Sequence, residues 1–141
     1  MYTKPFFYLM EERRHTFGKS ERLCSKMLIE RLFTGGNHSF PAFPLRAVYM
    51  LVEPDELESD ISILISVPKK KFKRAVKRNL VKRQVREAYR RNKYLLLDAI
   101  KVQGDKKVAL AFIWLDNQIH SSDEVERKVK KLLIHITERI Q

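Results

Sequence analysis

The sequence has few of the residues that cross-link a chain or anchor it in a membrane. Cys24 is the single cysteine among 141 residues, so an internal disulfide is excluded, and no spacing of cysteine and histidine is typical of a zinc site. No apolar run is as long as a membrane span. The apolar stretch at 6–10 is shorter than the hydrophobic part of a secretory signal, and charged residues follow it at once. A protein of the reducing cytoplasm is expected.

The chain also lacks the internal repeats, low-complexity tracts and Gly/Ser/Pro-rich linkers that divide multidomain proteins. Its length is close to the usual size of one domain, and such a chain buries roughly two thirds of its unfolded surface. A core can therefore form without a disulfide or a metal. We expect a single domain at 19–141, preceded by a flexible arm at 1–18.

Acidic residues are nearly missing from one segment. Residues 69–93 contain thirteen of the 29 lysines and arginines but a single acid, Glu87. Thirteen minus one is +12, the formal net charge of the whole protein, so the other 116 residues carry sixteen bases and sixteen acids. An excess confined to one segment, rather than spread over the chain, is typical of a surface that binds a polyanion.

Apolar periodicity predicts an α+β domain. Helices are expected at 20–34, at 74–92 or on to about 100, and from the N-cap Ser121 to the end, and strands at 44–53, 60–67 and 107–115. The polar turn at 54–59 predicts an antiparallel hairpin, and the nearly continuous apolar run at 107–115 is typical of a strand covered on both faces. The expected order is α-β-β-(β)-α-β-α, with three helices packed on a small mixed sheet.

The predicted helix at 74–92 has a broad cationic face. At about 100° per residue, a ladder at i, i+4 spacing is formed by Arg78, Lys82, Arg86 and Arg90, with Asn79 and Arg83 beside it and Val81, Val85 and Ala88 on another side. Like charges at this spacing destabilise an isolated helix, and a solvated surface helix would normally alternate acids with bases. Arginine also suits bidentate contact with phosphate. The lysines at 69–71 extend the positive surface into a loop, where such a run is equally a solubilising feature.

The same segment resembles the signature of the bacterial ribonuclease P protein subunit. That pattern runs approximately A-V-x-R-N-x-x-K-R-x-x-R-E-A-[FY], and residues 75–89 match every fixed position. The flanks agree, since 22–23 with 29–33 resembles the family's first helix and 66–70 resembles the end of a strand. The departures are Leu80 in place of a second arginine, a slightly longer loop without its usual glycine, and Ile29 and Phe33 where two aromatics are usual.

The resemblance implies a subunit of an endoribonuclease that removes the 5′ leader of precursor tRNA. A catalytic RNA would perform the hydrolysis with Mg²⁺ bound mainly by the RNA and the substrate, so no side chain here is implied as catalytic group or metal ligand. The implied RNA-binding residues are Lys69, Lys70, Lys77, Arg78, Asn79, Lys82, Arg83 and Arg86, to which the ladder adds Arg90, and the implied leader cleft includes Ile29, Phe33 and Tyr49.

The resemblance also implies a fold like that of the second domain of a small-subunit ribosomal protein. In that fold a left-handed βαβ crossover joins the strand at 60–67 to the strand at 107–115, against the general right-handed rule. The implied partners are the catalytic RNA and precursor tRNA, in the cytoplasm, with no membrane and no obligate protein partner.

Two other classes of function stay open. A ribosome-associated RNA-binding protein explains the charge equally well; a DNA-reading helix-turn-helix would need a helix just before 74, where a strand, Pro68 and lysines stand. A protein-only nuclease would need clustered carboxylates or a positioned histidine. The cluster of Asp55, Glu56, Glu58 and Asp60 falls in a turn, where acids are usually solvated, and the four histidines show no motif.

Overall fold

The computed structural model describes residues 16–35 and 37–140, so most of the predicted N-terminal arm lies outside the described residues. In chain order the helices and strands are α1 (Lys26–Phe33), β1 (His38–Ala42), β2 (Leu45–Val52), β3 (Ile61–Ser66), α2 (Ala75–Asn92), α3 (Tyr94–Gln103), β4 (Lys107–Trp114) and α4 (Ser122–Ile140). Short 3₁₀ turns lie at Lys19–Glu21 and Pro54–Glu56. The three predicted strands are confirmed, and β1 is added to them.

The strands form one mixed sheet in the order β1-β2-β4-β3. β2 pairs antiparallel with β1 and β4, whereas β3 pairs parallel with β4. The connection from β3 through α2 and α3 to β4 is therefore a βαβ crossover between neighbouring strands. The α+β class with a small mixed sheet is confirmed, and the left hand of the crossover stays a prediction.

β4 is buried on both faces of the sheet, as its continuous apolar run predicts. Val108, Leu110 and Phe112 lie in the main core with buried residues of α2, α3 and α4. Ala109 and Ala111 lie in a second cluster, under the buried leucines of α1. Because side chains alternate along a strand, three helices cover one face of the sheet and α1 covers the other.

The antiparallel hairpin predicted between 44–53 and 60–67 is wrong, because β4 lies between β2 and β3. A strand that is apolar on both faces is most stable inside the sheet, and β4 takes that position. The segment 53–60 instead passes the end of β4, where the Val108 amide donates to the Asp60 carbonyl at 2.9 Å. The hairpin of this sheet joins β1 to β2 through Phe43 and Pro44, which are linked by a cis peptide bond.

The helix predicted at 20–34 begins later than expected, at Lys26. Ser25 is its N-cap and accepts a hydrogen bond from the Leu28 amide at 3.3 Å. The residues before it are used by the sheet: Arg22 forms a parallel bridge with Ile63, and the Leu23 amide donates to the Ile63 carbonyl at 2.8 Å. These two residues cover part of the outer edge of β3.

The basic helix ends at Asn92, and a separate helix, α3, follows, so residues 16–35 and 37–140 form four helices where three were predicted. Lys93 stands at the break and is buried, with 4% of its surface exposed. Its ammonium group donates to the carbonyl of Thr16 and to the carboxylate of Glu21. The break is consistent with this inward lysine, whose partners come from the N-terminal segment. The predicted cap of α4 is confirmed by the Glu124 amide, which donates to the Ser121 hydroxyl at 3.2 Å.

Candidate nucleic-acid interface

The α2 helix separates an apolar face from a cationic one. Val81, Val85, Ala88 and Tyr89 are buried in the main core, so the helix is fixed against the sheet. The opposite side is at the surface: Lys77, Asn79 and Arg83 are exposed, and Arg78, Lys82, Arg86 and Arg90 are half-buried. All the residues of α2 predicted to bind RNA therefore reach the surface of one helix.

Arg78 connects the start of α2 to the loop before it, residues 67–74, which we call the lysine loop. Its Nη1 atom donates to the carbonyl of Phe72 at 2.7 Å and to that of Lys73 at 2.9 Å. Phe72 itself is buried in the main core, which fixes this end of the loop. Lys69 and Lys70 are exposed at the preceding turn. The ladder and the loop thus belong to one continuous positive surface, and part of Arg78 has a structural role that the sequence did not indicate.

The cations at the C-terminal end of the segment 69–93 are paired with acids. Arg90 forms a two-point ion pair with Glu87, Arg91 contacts Glu126 at 3.1 Å, and Lys93 contacts Glu21 at 2.7 Å. The hydrogen bond from Arg90 holds the pKa of the Glu87 carboxyl below its usual value. In the described part of the chain, no ion pair involves the ten cations from Lys69 to Arg86. The unbalanced charge therefore lies in the lysine loop and the first two thirds of α2.

Two residues outside the helix join this surface. Phe17 packs edge-on against Tyr89, with 6.1 Å between the ring centroids, and the guanidinium groups of Arg22 and Arg86 lie 5.7 and 6.0 Å from the Phe17 ring. A shallow cavity of about 190 Å³ lies beside these groups at the edge of β3. Phe17 was not indicated by any local pattern, and Arg22 was noted only as part of the family resemblance, because their neighbours on α2 are more than 60 positions away in the chain.

The three residues predicted to form a leader cleft are not brought together. Ile29 packs against the second core cluster, as Val48 does, and Phe33 on the same helix is 48% exposed. Tyr49 is 2% exposed and lies in the main core, on the opposite face of the sheet, so its placement in this cleft is wrong. The reason is the phase of β2: Val48 faces α1, and Tyr49 therefore faces away.

The surface beside α1 is formed by other residues of the sheet. The register aligns Arg46 of β2 with Ile113 of β4 and Ser66 of β3 on the α1 face, and all three are half-buried. The Arg46 guanidinium donates to the Ser39 hydroxyl at 2.8 Å. The structure therefore leaves this row partly open on the sheet face that α1 covers, and Arg46 is the cation in it. Strand alternation was the signal that could have indicated Arg46 and Val48.

The acidic turn is neutralised by cations and is not arranged as a metal site. Glu56 is bound by Arg31, whose hydrogen bond keeps the pKa of the Glu56 carboxyl below its usual value, and Glu53 is bound by Lys106. Among residues 16–35 and 37–140, no group of three or more histidines, cysteines, aspartates and glutamates could hold a metal ion.

One histidine cluster was missed in the sequence. The two ring nitrogens of His120 contact Asp116 at 2.7 Å and Glu124 at 2.9 Å, and the Gln84 side chain of α2 donates to the His120 carbonyl at 2.9 Å. The hydrogen bond to Asp116, reinforced by Glu124, raises the pKa of His120 against the opposing effect of burial. The Gln84 hydrogen bond joins α2 to this cluster, and Glu124 belongs to α4, so the cluster links the start of α4 to α2. The i, i+4 spacing on both sides of His120 was the available signal.

The decisive observation comes from comparison with known proteins. The family model of ribonuclease P matches residues 17–137, which is most of the chain. The chain belongs to the ribonuclease P protein family. The resemblance found in residues 75–89 is thereby confirmed.

Similar sequences carry the same family name. The chain is 44% identical over 123 residues to the ribonuclease P protein component of Porphyromonas gingivalis, covering 86% of this chain and 88% of that protein. It is 36% identical over 111 residues to the ribonuclease P protein component of Chlorobaculum tepidum, covering 75% and 71%.

Solved ribonuclease P proteins share the fold. The protein from Thermotoga maritima matches with a TM-score of 0.62 at 22% identity, covering 82% of this chain and 96% of that one. A mutant of the Staphylococcus aureus protein matches with a TM-score of 0.63 at 16% identity, covering 96% and 98%. The chain is accordingly a subunit of a ribonuclease, the tRNA-processing ribonucleoprotein ribonuclease P, and has an RNA partner. No helix in the described part of the chain is long and apolar enough to cross a membrane.

Proposed function

We propose that the protein binds the catalytic RNA of ribonuclease P through α2 and the lysine loop, binds the 5′ leader of precursor tRNA beside α1, and so assists removal of the leader. The observation that carries this proposal is the surface of ten cations from Lys69 to Arg86 that form no ion pair within the described chain. A polyanion that neutralises them releases its own counterions, which is the main source of affinity in such complexes.

The polar residues of α2 suit a structured RNA. Arg83 and Lys77 are exposed on a helix whose other face is fixed in the core, so their positions are set before binding. Arginine forks match phosphate oxygens in a bidentate manner, and the Asn79 amide can both donate and accept. Arg90 contributes less than the ladder predicts, because Glu87 balances its charge.

The leader is proposed to lie on the surface beside Phe33. A leader must be accepted whatever its sequence, so an exposed ring for base stacking and a nearby guanidinium for phosphate suit it better than contacts to base edges. Phe33 supplies the ring and Arg46 the cation, while Ile29 and Val48 form an apolar floor. Tyr49 is not part of this proposal.

The chemistry of cleavage is assigned to the RNA. Mg²⁺ would be held mainly by phosphates of the RNA and the substrate, as Mg²⁺ commonly is in nucleic-acid complexes. The protein reduces repulsion between two polyanions and positions the leader. We place this work in the cytoplasm, without an obligate protein partner.

Reconstitution tests the proposal. The full chain, mixed with the ribonuclease P RNA of its organism at low Mg²⁺, is expected to speed 5′ maturation of precursor tRNA. Replacing Lys82 and Arg83 with glutamine should abolish most of this gain, whereas the same change at Lys101 and Lys130, exposed on α3 and α4, should preserve it. An unchanged cleavage rate with the wild-type chain would favour a ribosome-associated RNA-binding protein instead.

A further inference from the structure

A pocket lined by aromatic and histidine rings lies at the β1 edge of the sheet, on the face that α2, α3 and α4 cover. The cavity has a volume of about 460 Å³, between β1, β2 and the C-terminal part of α4. Its principal lining residues are His38, Phe40, Tyr49, Leu51, His135 and Arg139. It is separate from the α1 surface, which lies on the other face, and from the lysine loop, which follows β3 at the opposite edge.

Two stacked ring pairs form the walls. Phe40 and His135 are nearly parallel, with 3.6 Å between their centroids and 6° between their planes. His38 and Tyr49 stack at 5.0 Å and 21°. Tyr49 is buried in the main core, but its partner His38 is exposed, and Phe40 and His135 are half-buried, so the outer part of each pair borders the opening. Because the two rings of a pair already cover one face of each other, a planar ligand would stack on an outer ring face.

A stripe of cations leads along α4 into the pocket. Lys128, Lys131 and Arg139 lie at helical spacing on one side of α4, with the ring of His135 between the last two. Arg139 is exposed at the mouth, and its charge lowers the pKa of the Tyr49 hydroxyl against the larger, raising effect of burial. In the described part of the chain, no salt bridge involves Lys128, Lys131 or Arg139. Rings beside unpaired cations select a ligand that is both planar and anionic.

We propose that this pocket binds a nucleotide of single-stranded RNA, with the base against the rings, the phosphate on Arg139 and the strand continuing along the stripe of α4. Base stacking on aromatic and histidine rings with backbone neutralisation is the general way in which proteins hold single strands. An apolar ligand would make no use of the arginine, and a simple anion would make no use of the rings. The pocket does not depend on the RNA-binding role of α2.

The histidines provide a test located in the pocket itself. In the full chain, NMR signals of the His38 and His135 rings are followed during titration with adenosine 5′-monophosphate, and His120, held by Asp116 and Glu124 elsewhere on the surface, is the internal reference. We expect the first two signals to shift and the third to stay. No shift, an equal shift of all three, or the same shifts with inorganic phosphate alone would overturn the proposal.

A tetra-adenylate distinguishes an RNA strand from a free nucleotide. The stripe predicts that it binds at least about tenfold more tightly than the monophosphate, with a steeper dependence on salt. Arg139→Gln should lower the affinity for the tetra-adenylate by about tenfold, because a charge-assisted hydrogen bond is lost. The matched change Arg127→Gln on the same helix, and Arg83→Gln on α2, should leave the His38 and His135 shifts unaltered. Equal affinities for the tetra-adenylate and the monophosphate would contradict the proposal that an RNA strand continues along α4.

Discussion

The ammonium group of Lys93 and the carboxylate of Glu21 meet at 2.7 Å in a place where both are largely removed from solvent. They are 72 positions apart in the chain, and the contact fastens the N-terminal segment to the junction of α2 and α3. The carbonyl of Thr16 gives the same ammonium group a second acceptor. Through this pair the segment that carries Phe17 and Arg22 is held against the cationic helix.

Breaking this pair should strongly destabilise the fold. Glu21→Gln leaves the Lys93 charge buried without its counter-ion, and we expect the free energy of unfolding to fall by about 3 kcal/mol, as is usual when one partner of a buried pair is removed. Urea unfolding at neutral pH measures this change. The double variant Glu21→Gln with Lys93→Met should recover part of the loss, because no uncompensated charge remains.

The matched control is the exposed pair of Arg91 and Glu126, whose side chains are 60% and 34% exposed. Arg91→Gln should change the free energy of unfolding by no more than about 0.5 kcal/mol. An equal effect of Glu21→Gln and Arg91→Gln would show that the Lys93 pair has no special structural role.

Arg78 and Arg83 should differ in how they affect RNA binding. Arg83→Gln removes one exposed charge, and the slope of log K against log salt should become shallower by about one unit. Arg78→Gln also releases the carbonyls of Phe72 and Lys73, so Lys69 and Lys70 lose their position and the slope should fall by more than for Arg83→Gln. Fluorescence titration at several salt concentrations gives both slopes. Identical slopes would mean that Arg78 does not position the loop.

Phe33 and Tyr49 lie on opposite faces of the sheet, so substitutions at the two positions should affect leader binding differently. Phe33→Ala should weaken binding of precursor tRNA that carries a leader by about tenfold, since base stacking contributes roughly 1–3 kcal/mol per base, and leave mature tRNA unaffected. Tyr49→Leu, which removes the ring on the other face of the sheet, should leave the dependence of binding on the leader unchanged. Loss of leader dependence with Tyr49→Leu would restore the original placement of this residue.

His120 should make stability depend on pH. Its pKa is raised in the folded state, so protonation favours folding: the stabilisation is fully present below the usual value of 6.5 and is lost as pH rises through the raised value. The difference in unfolding free energy between the wild type and His120→Gln should therefore shrink above neutral pH. At acidic pH it should shrink again, because Asp116 and Glu124, whose pKa values are lowered by their hydrogen bonds to His120, become protonated. A difference independent of pH would contradict this account.

Local patterns predicted local structure well. The position of α2, the buried set around Val81 and Val85, and the double-sided burial of β4 all follow from periodicity within one segment. Features that depend on distant partners could not be predicted in this way. The phase of Tyr49 is fixed by which face the helices cover, and the break at Lys93 accompanies an acid 72 positions earlier.

The pairing of Arg90, Arg91 and Lys93 with acids gives α2 two unlike ends. Its N-terminal end adds the positive pole of the helix dipole to the cations of the lysine loop, whereas three carboxylates cancel the charge at the other end. In the field of an approaching polyanion, such an arrangement experiences a torque that turns the N-terminal end forward before any contact forms. The three acids thus favour encounters in one orientation, and removing one of them should speed association, because the net positive charge rises, while reducing this orientational preference.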